Sequence, residues 1–143
     1  SSQLVASKPL AAVSAGLMPV ICVGETLAAR ERGQAEHTVA AQLAPCVDIF
    51  SRFAGEVAVA YEPVWAIGTG KTASPGEAQS MHAFIRRSLT KINVAAGNIS
   101  ILYGGSVKAA NAAELFAAPD IDGGLVGGAS LVADEFLGIV SAA

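Results

Sequence analysis

Four times along this chain a short, largely apolar run gives way to a glycine or polar loop and then to a segment of helical character, and this alternation restricts the fold more than any other feature. The runs are Pro19–Val23, Val57–Tyr61, Ile99–Tyr103 and Gly123–Val126. Antiparallel neighbours can be joined by tight turns, but parallel strands need a crossover of a dozen or more residues, usually a helix. Strands that are largely apolar, separated by helices, therefore predict an α/β fold with a parallel sheet covered by helices.

The helices carry their own punctuation. Leu4 to Gly16 reads as a helix ending on Gly16, with regular structure expected from Pro9 and Ser7 nearby as a cap. Thr38 to Phe53 reads as a helix bent at Pro45. Ser74-Pro75-Gly76-Glu77 is a capping box with proline in the first helical position. The helix it opens is expected to run to about Asn93 and to bury Met81, Phe84, Ile85, Leu89 and Ile92. Asn111–Ala117 and Ala133–Val140 complete the set.

Composition excludes several classes. With 143 residues, 52% hydrophobic and 15% charged, the chain can build a packed core and is not a disordered one. A net charge of −3 and the absence of a basic run argue against nucleic acid and membrane surfaces as partners. No apolar stretch is long enough to span a bilayer and no leader is evident, which places the expected location in the cytoplasm. Cys22 and Cys46 are read as reduced structural thiols, Cys22 as a small hydrophobe inside PVICVG. The first residue is Ser1, and the opening SSQLVASKPL leads straight into a helical pattern, so the chain is expected to begin inside a larger protein.

In parallel α/β sheets, ligands bind at the carboxyl ends of the strands. Those ends carry Gly24-Glu25-Thr26, the run Glu62 to Lys71, Gly104-Gly105-Ser106, and Gly127-Gly128-Ala129-Ser130. Glycine-rich loops let several main-chain amides converge on a phosphate without a β-carbon in the way; tight turns that need positive φ would use the same residues. Glu62 is followed at once by Pro63, which confines it to extended geometry and fixes where the carboxylate points. Partial desolvation by Trp65 and Ile67 would make it a general base, although an ordinary surface or ion-paired glutamate fits the spacing equally. Ala66-Ile67-Gly68-Thr69-Gly70 is uncharged and flanked by hinge-like segments, as a closing lid requires, and a plain connection is the other reading.

The runs AYEPVWAIGTGK, YGGSV and DGGLVGGASL, with CVGET upstream, resemble the triosephosphate isomerase family collinearly over essentially the whole chain. AYEPVWAIGTG is the specific part; the others are weaker singly but agree in order and spacing. The resemblance implies four parallel strand–helix units forming the second half of a TIM (β/α)8 barrel, with residues 1–143 the C-terminal half of a single barrel domain. It implies an isomerase of glycolysis and gluconeogenesis that interconverts dihydroxyacetone phosphate and D-glyceraldehyde 3-phosphate through an enediolate.

Carried over, Glu62 matches the catalytic base and Gly68, Ser106, Gly127 and Gly128 match phosphate contacts. Pro63, Val64, Trp65, Ala66, Ile67, Thr69, Gly70 and Lys71 match the lid, with Lys71 at its hinge. Tyr103 and Ser106 resemble its latch, and Glu25 the carboxylate that holds Trp65 when the lid is open. Arg86 and Asp120 match a structural ion pair, and His37 and His82 match surface or helical positions. Gly124 stands where the family often has a larger residue, which should soften the packing there.

The family uses no metal or cofactor and forms homodimers. Its asparagine, lysine and histidine from the first half of the barrel have no counterpart here, so the 143 residues alone are expected to be inactive. The alternative reading is a catalytically incomplete half barrel that at most binds phosphate or self-associates; another phosphate-binding (β/α) barrel is a remote third.

Overall fold

The computed structural model describes residues 2–67 and 72–143, with side chains from residue 7 onward. In chain order the elements are α1 (Ser2–Ser14), β1 (Val20–Val23), α2 (Leu27–Glu31), α3 (Ala35–Leu43), α4 (Val47–Arg52), β2 (Ala58–Tyr61), α5 (Pro75–Ile92), β3 (Ser100–Tyr103), α6 (Ala109–Phe116), β4 (Gly123–Gly124) and α7 (Ala133–Val140). The strands form one parallel sheet in the order β1-β2-β3-β4. Val23, Tyr61 and Tyr103 lie level in the register, so the loops that follow them emerge side by side at one end.

Helices cover one face of the sheet. Ile21, Val23, Val59, Tyr61, Ile101 and Tyr103 point into the main core against Val39, Phe50, Ile85 and Leu89. Fully burying side chains of this size stabilises the fold by roughly 1.5–3 kcal/mol each. Val20, Cys22 and Leu102 alternate onto the other face, where Val20 and Cys22 are exposed. The capping box at Ser74 is formed in both directions: Glu77 N–H donates to Ser74 Oγ at 3.3 Å and Ser74 N–H donates to Glu77 Oε2 at 2.9 Å. On α5, Met81, Ile85 and Leu89 are buried, Phe84 and Ile92 pack at the rim of the core, and His82 joins the buried face.

Several boundaries differ from the sequence reading. Pro9 lies inside α1 and not at its start, at the cost of one helical hydrogen bond. Gly16 ends α1 with φ of 74°, Gly16 N–H bonding Val13 O and Leu17 N–H bonding Ala12 O, the Schellman pattern glycine favours. The helix around Pro45 begins earlier, at Ala35, and divides into α3 and α4 about a 3-10 turn at Ala44–Cys46. The short α2 follows the Thr26 cap, whose hydroxyl accepts from Ala29 N–H at 3.3 Å, where a loop is expected from sequence. Pairing of β4 stops at Gly124, after which Leu125 N–H still bonds Tyr103 O at 2.9 Å.

Arg86 ties α5 to the far strands. Its guanidinium donates to Gly97 O at 2.8 Å, Ile99 O at 2.6 Å and Asp122 Oδ2 at 2.5 Å. The Asp120 carboxylate lies at 3.7 Å, so Asp122 is the tighter partner of the pair. Asp122 Oδ2 also accepts from Ile101 N–H at 2.6 Å, which fixes the approach to β4.

Candidate active site

The end of β2 presents Glu62, whose N–H donates to Val23 O at 2.7 Å. Glycines on both flanks permit this placement. A β-carbon on Gly24 would lie 1.7 Å from the Glu62 carbonyl oxygen, and one on Gly104 would lie 2.6 Å from Glu62 Cγ. The main-chain clash makes glycine obligatory at position 24, whereas at position 104 a side chain would displace that of Glu62. Cys22 sits beside the Glu62 side chain and is not packed away as a small hydrophobe. Burial, and then the adjacent carboxylate, raise its pKa, which keeps it a thiol and a poor nucleophile.

Glu62 opens onto a cavity of about 720 Å³ that is also lined by Ala66, Ile67, Ser106, Gly127 and Gly128. A small phosphorylated molecule fits comfortably in a volume of that order. Among the described residues, the amides of Gly105, Ser106 and Gly127 donate to no main-chain carbonyl. Asn111 stiffens one side of the cavity: its Nδ2 donates to Ser106 O at 3.0 Å and its Oδ1 accepts from Lys108 N–H at 2.8 Å. Main-chain amides gathered on a fixed turn can form an anion-binding concavity.

Two charged residues line this cavity that the sequence reading passes over. Lys108 places a cation at its wall, and Glu135 accepts from Ala109 N–H at 3.2 Å, joining α7 to the start of α6. For Lys108 a signal existed, a basic residue two positions beyond Gly-Gly-Ser; for Glu135 none did.

A second cluster stands beside the cavity. Glu25 is fully buried and accepts three donors: Trp65 Nε1 at 2.9 Å, Tyr61 Oη at 3.1 Å, and Arg30 at 3.2 Å. Burial and then the Glu25 carboxylate push the Tyr61 hydroxyl pKa far up, so it remains a donor. Pro63 leads into a 3-10 turn at Val64–Ala66, and Val64 N–H bonds Glu25 O at 3.1 Å. Tyr103 is buried behind the cavity, and a β-carbon on Gly105 would lie 2.2 Å from its hydroxyl oxygen.

Glu62, Ala66, Ile67, Ser106, Gly127 and Gly128 thus converge on one cavity; Glu25 and Trp65 pair beside it. Gly68, Thr69, Gly70 and Lys71 lie outside the described residues. Neither histidine lines the cavity. His37 is exposed on α3, whereas His82 is entirely buried, with Nδ1 3.1 Å from Asp120 O. The packing at Gly124 is not soft: the Phe116 ring fills the space a side chain would take, with Cζ 3.2 Å from the β-carbon position.

A carboxylate at the end of one parallel strand, facing glycine loops at the ends of the next two, defines a (β/α)-type protein whose ligand site is built at the strands' carboxyl ends. The chain belongs to the triosephosphate isomerase family: the family model described as triosephosphate isomerase matches residues 1–143. It is 58% identical over 146 residues to the triosephosphate isomerase of Xanthomonas euvesicatoria pv. vesicatoria (strain 85-10) and 58% identical over 145 residues to that of Stenotrophomonas maltophilia (strain K279a). With that of Thiobacillus denitrificans (strain ATCC 25259 / T1) it shares 60% over 149 residues. Each alignment takes in 100% of this chain and 58% of the relative, so the chain spans less than two thirds of the length of these proteins.

Proposed function

We propose that the protein to which these residues belong is a triosephosphate isomerase that interconverts dihydroxyacetone phosphate and D-glyceraldehyde 3-phosphate through an enediolate, with Glu62 moving the proton between the two carbons. The observation that carries this reading is the shared cavity: Glu62 faces the same space as Ser106, Gly127 and Gly128. A phosphate held by the loop amides fixes the triose at one end, and the carboxylate at the end of β2 then reaches its carbon skeleton. Gly68 and the rest of the run to Lys71 would close over the substrate and exclude water, with Tyr103 and Ser106 latching them. Lys108 adds a favourable charge at the cavity wall for a phosphate dianion.

On this reading residues 1–143 are the C-terminal half of one barrel domain, and the intact protein works as a homodimer in the cytoplasm. Among the described residues no helix is long and apolar enough to cross a membrane, in keeping with that location. Carbonyl polarisation is assigned to groups beyond these residues, since neither His37 nor His82 reaches the cavity.

The test is Glu62→Gln in the intact protein. Turnover should fall by about two to four orders of magnitude while inorganic phosphate still binds. Turnover within threefold of the parent would reject Glu62 as the base.

A second reading rests on the exposed side chains of Val20 and Cys22 on the sheet's uncovered face. By themselves the 143 residues would bind phosphate or self-associate without turning over. Isomerase activity of the purified 143-residue chain would exclude it.

A further inference from the structure

We propose that Arg30 is a positioning residue that clamps both ends of the lid, holding Trp65 against Glu25 while anchoring the start of α5. The inference rests on the lid reading above and adds a control element to it.

Three contacts converge on this one side chain. Its guanidinium lies over the Trp65 ring, 4.8 Å from the centroid. One terminal nitrogen donates to the buried Glu25 Oε1 at 3.2 Å, the same oxygen that accepts from Trp65 Nε1. The other donates to Glu77 Oε1 at 2.7 Å. Trp65 belongs to the entry of the lid segment, and Glu77 belongs to the capping box directly after its exit. The other carboxylate oxygen of Glu77 is engaged with Ser74 N–H at 2.9 Å and Ser74 Oγ at 2.8 Å. Arg30 itself stands on α2, which is neither hinge.

The chemistry suits arginine alone. Its planar fork can donate to two carboxylates in diverging directions while its face stacks on an indole; a lysine ammonium has neither the plane nor the fork. The contact to Glu77 does not depend on where Trp65 lies, so it keeps the guanidinium in place as the lid moves. The contacts to Trp65 and, through the shared oxygen, to the Trp65–Glu25 bond exist only when the indole is docked. Arg30 therefore favours the docked position selectively. The cation–π contact, which exists only with the indole docked, biases such an equilibrium by roughly two- to fivefold.

Trp65 is the single tryptophan among these 143 residues, so its emission reports the contact directly. The experiment titrates the intact protein and its Arg30→Gln and Arg30→Lys variants with inorganic phosphate while recording Trp65 emission, with Trp65→Phe as the blank and a thermal unfolding curve for each. Arg30→Gln should change the emission before any phosphate is added and should tighten apparent phosphate affinity about two- to fivefold, because undocking becomes easier. Arg30→Lys should fall between the two. Unchanged emission and affinity in Arg30→Gln or Arg30→Lys, with or without a lower unfolding temperature, would overturn the proposal and leave Arg30 a structural residue. Parent emission that ignores phosphate, with emission still sensitive to Arg30→Gln, would instead reject the lid reading and keep the contact.

Discussion

The Glu62 side chain rests against the bare face of Gly104: a β-carbon there would lie 2.6 Å from Glu62 Cγ and 3.3 Å from Oε1. Gly104→Ala should therefore push the carboxylate off its line to the cavity. A misplacement of about 1 Å in a reacting group can lower turnover about a hundredfold. The expected result is a fall in kcat of that order with the unfolding temperature lowered only slightly. Equal losses in kcat and in folded fraction would mean that the glycine serves packing alone.

His82 makes stability depend on pH. Burial lowers its pKa from 6.5 to about 4. The folded state therefore holds fewer protons than the unfolded state between those values. Stability from this group is complete above pH 6.5 and is lost as pH falls toward 4, by about 3 kcal/mol in all. Chemical denaturation at several pH values should show the slope, and His82→Gln should flatten it.

Asp122 is the acceptor for both Arg86 and Ile101 N–H, at 2.5 and 2.6 Å. Asp122→Ala leaves both donors unanswered and should lower stability by about 2 kcal/mol, with Asp122→Asn retaining part of it. Urea unfolding curves would measure both; a change below about 0.5 kcal/mol for alanine would show that solvent replaces the carboxylate.

Gly124 and Phe116 should behave as one packing unit, since the ring stands 3.2 Å from where a β-carbon would be. Gly124→Ala alone should destabilise by about 1 kcal/mol, and Phe116→Leu in the same chain should recover much of that. Additive effects in the double-mutant cycle would refute the coupling.

Much of the architecture was legible because it follows from local rules. The apolar runs ending at Val23, Tyr61 and Tyr103 became strands, and Ser74-Pro75-Gly76-Glu77 opened α5 where the capping box placed it. The loops that gather around Glu62 were legible too, because parallel strands deliver their carboxyl ends to one side. What escaped depends on tertiary surroundings. Helical spacing does put His82 on the stripe of Ala78, Ile85 and Leu89, but a polar imidazole is not read as core from sequence. Arg30 meets Trp65 and Glu77 only across the fold, at a separation in sequence that no periodicity records. Pro9 inside α1 ran against a sound rule, and α2 was hidden because Thr26 sits in what reads as a loop.

The sheet's strand order has a bearing on how the protein is made. Among the described residues β2, β3 and β4 each pair with the strand before them, and none inserts between two earlier ones. A chain emerging from the ribosome can thus lay each new strand on an edge that is already standing, extending the sheet in the direction of translation. The growing edge stays open until the strand beyond the next crossover helix pairs with it, and that interval is when the nascent protein most needs shielding from its neighbours.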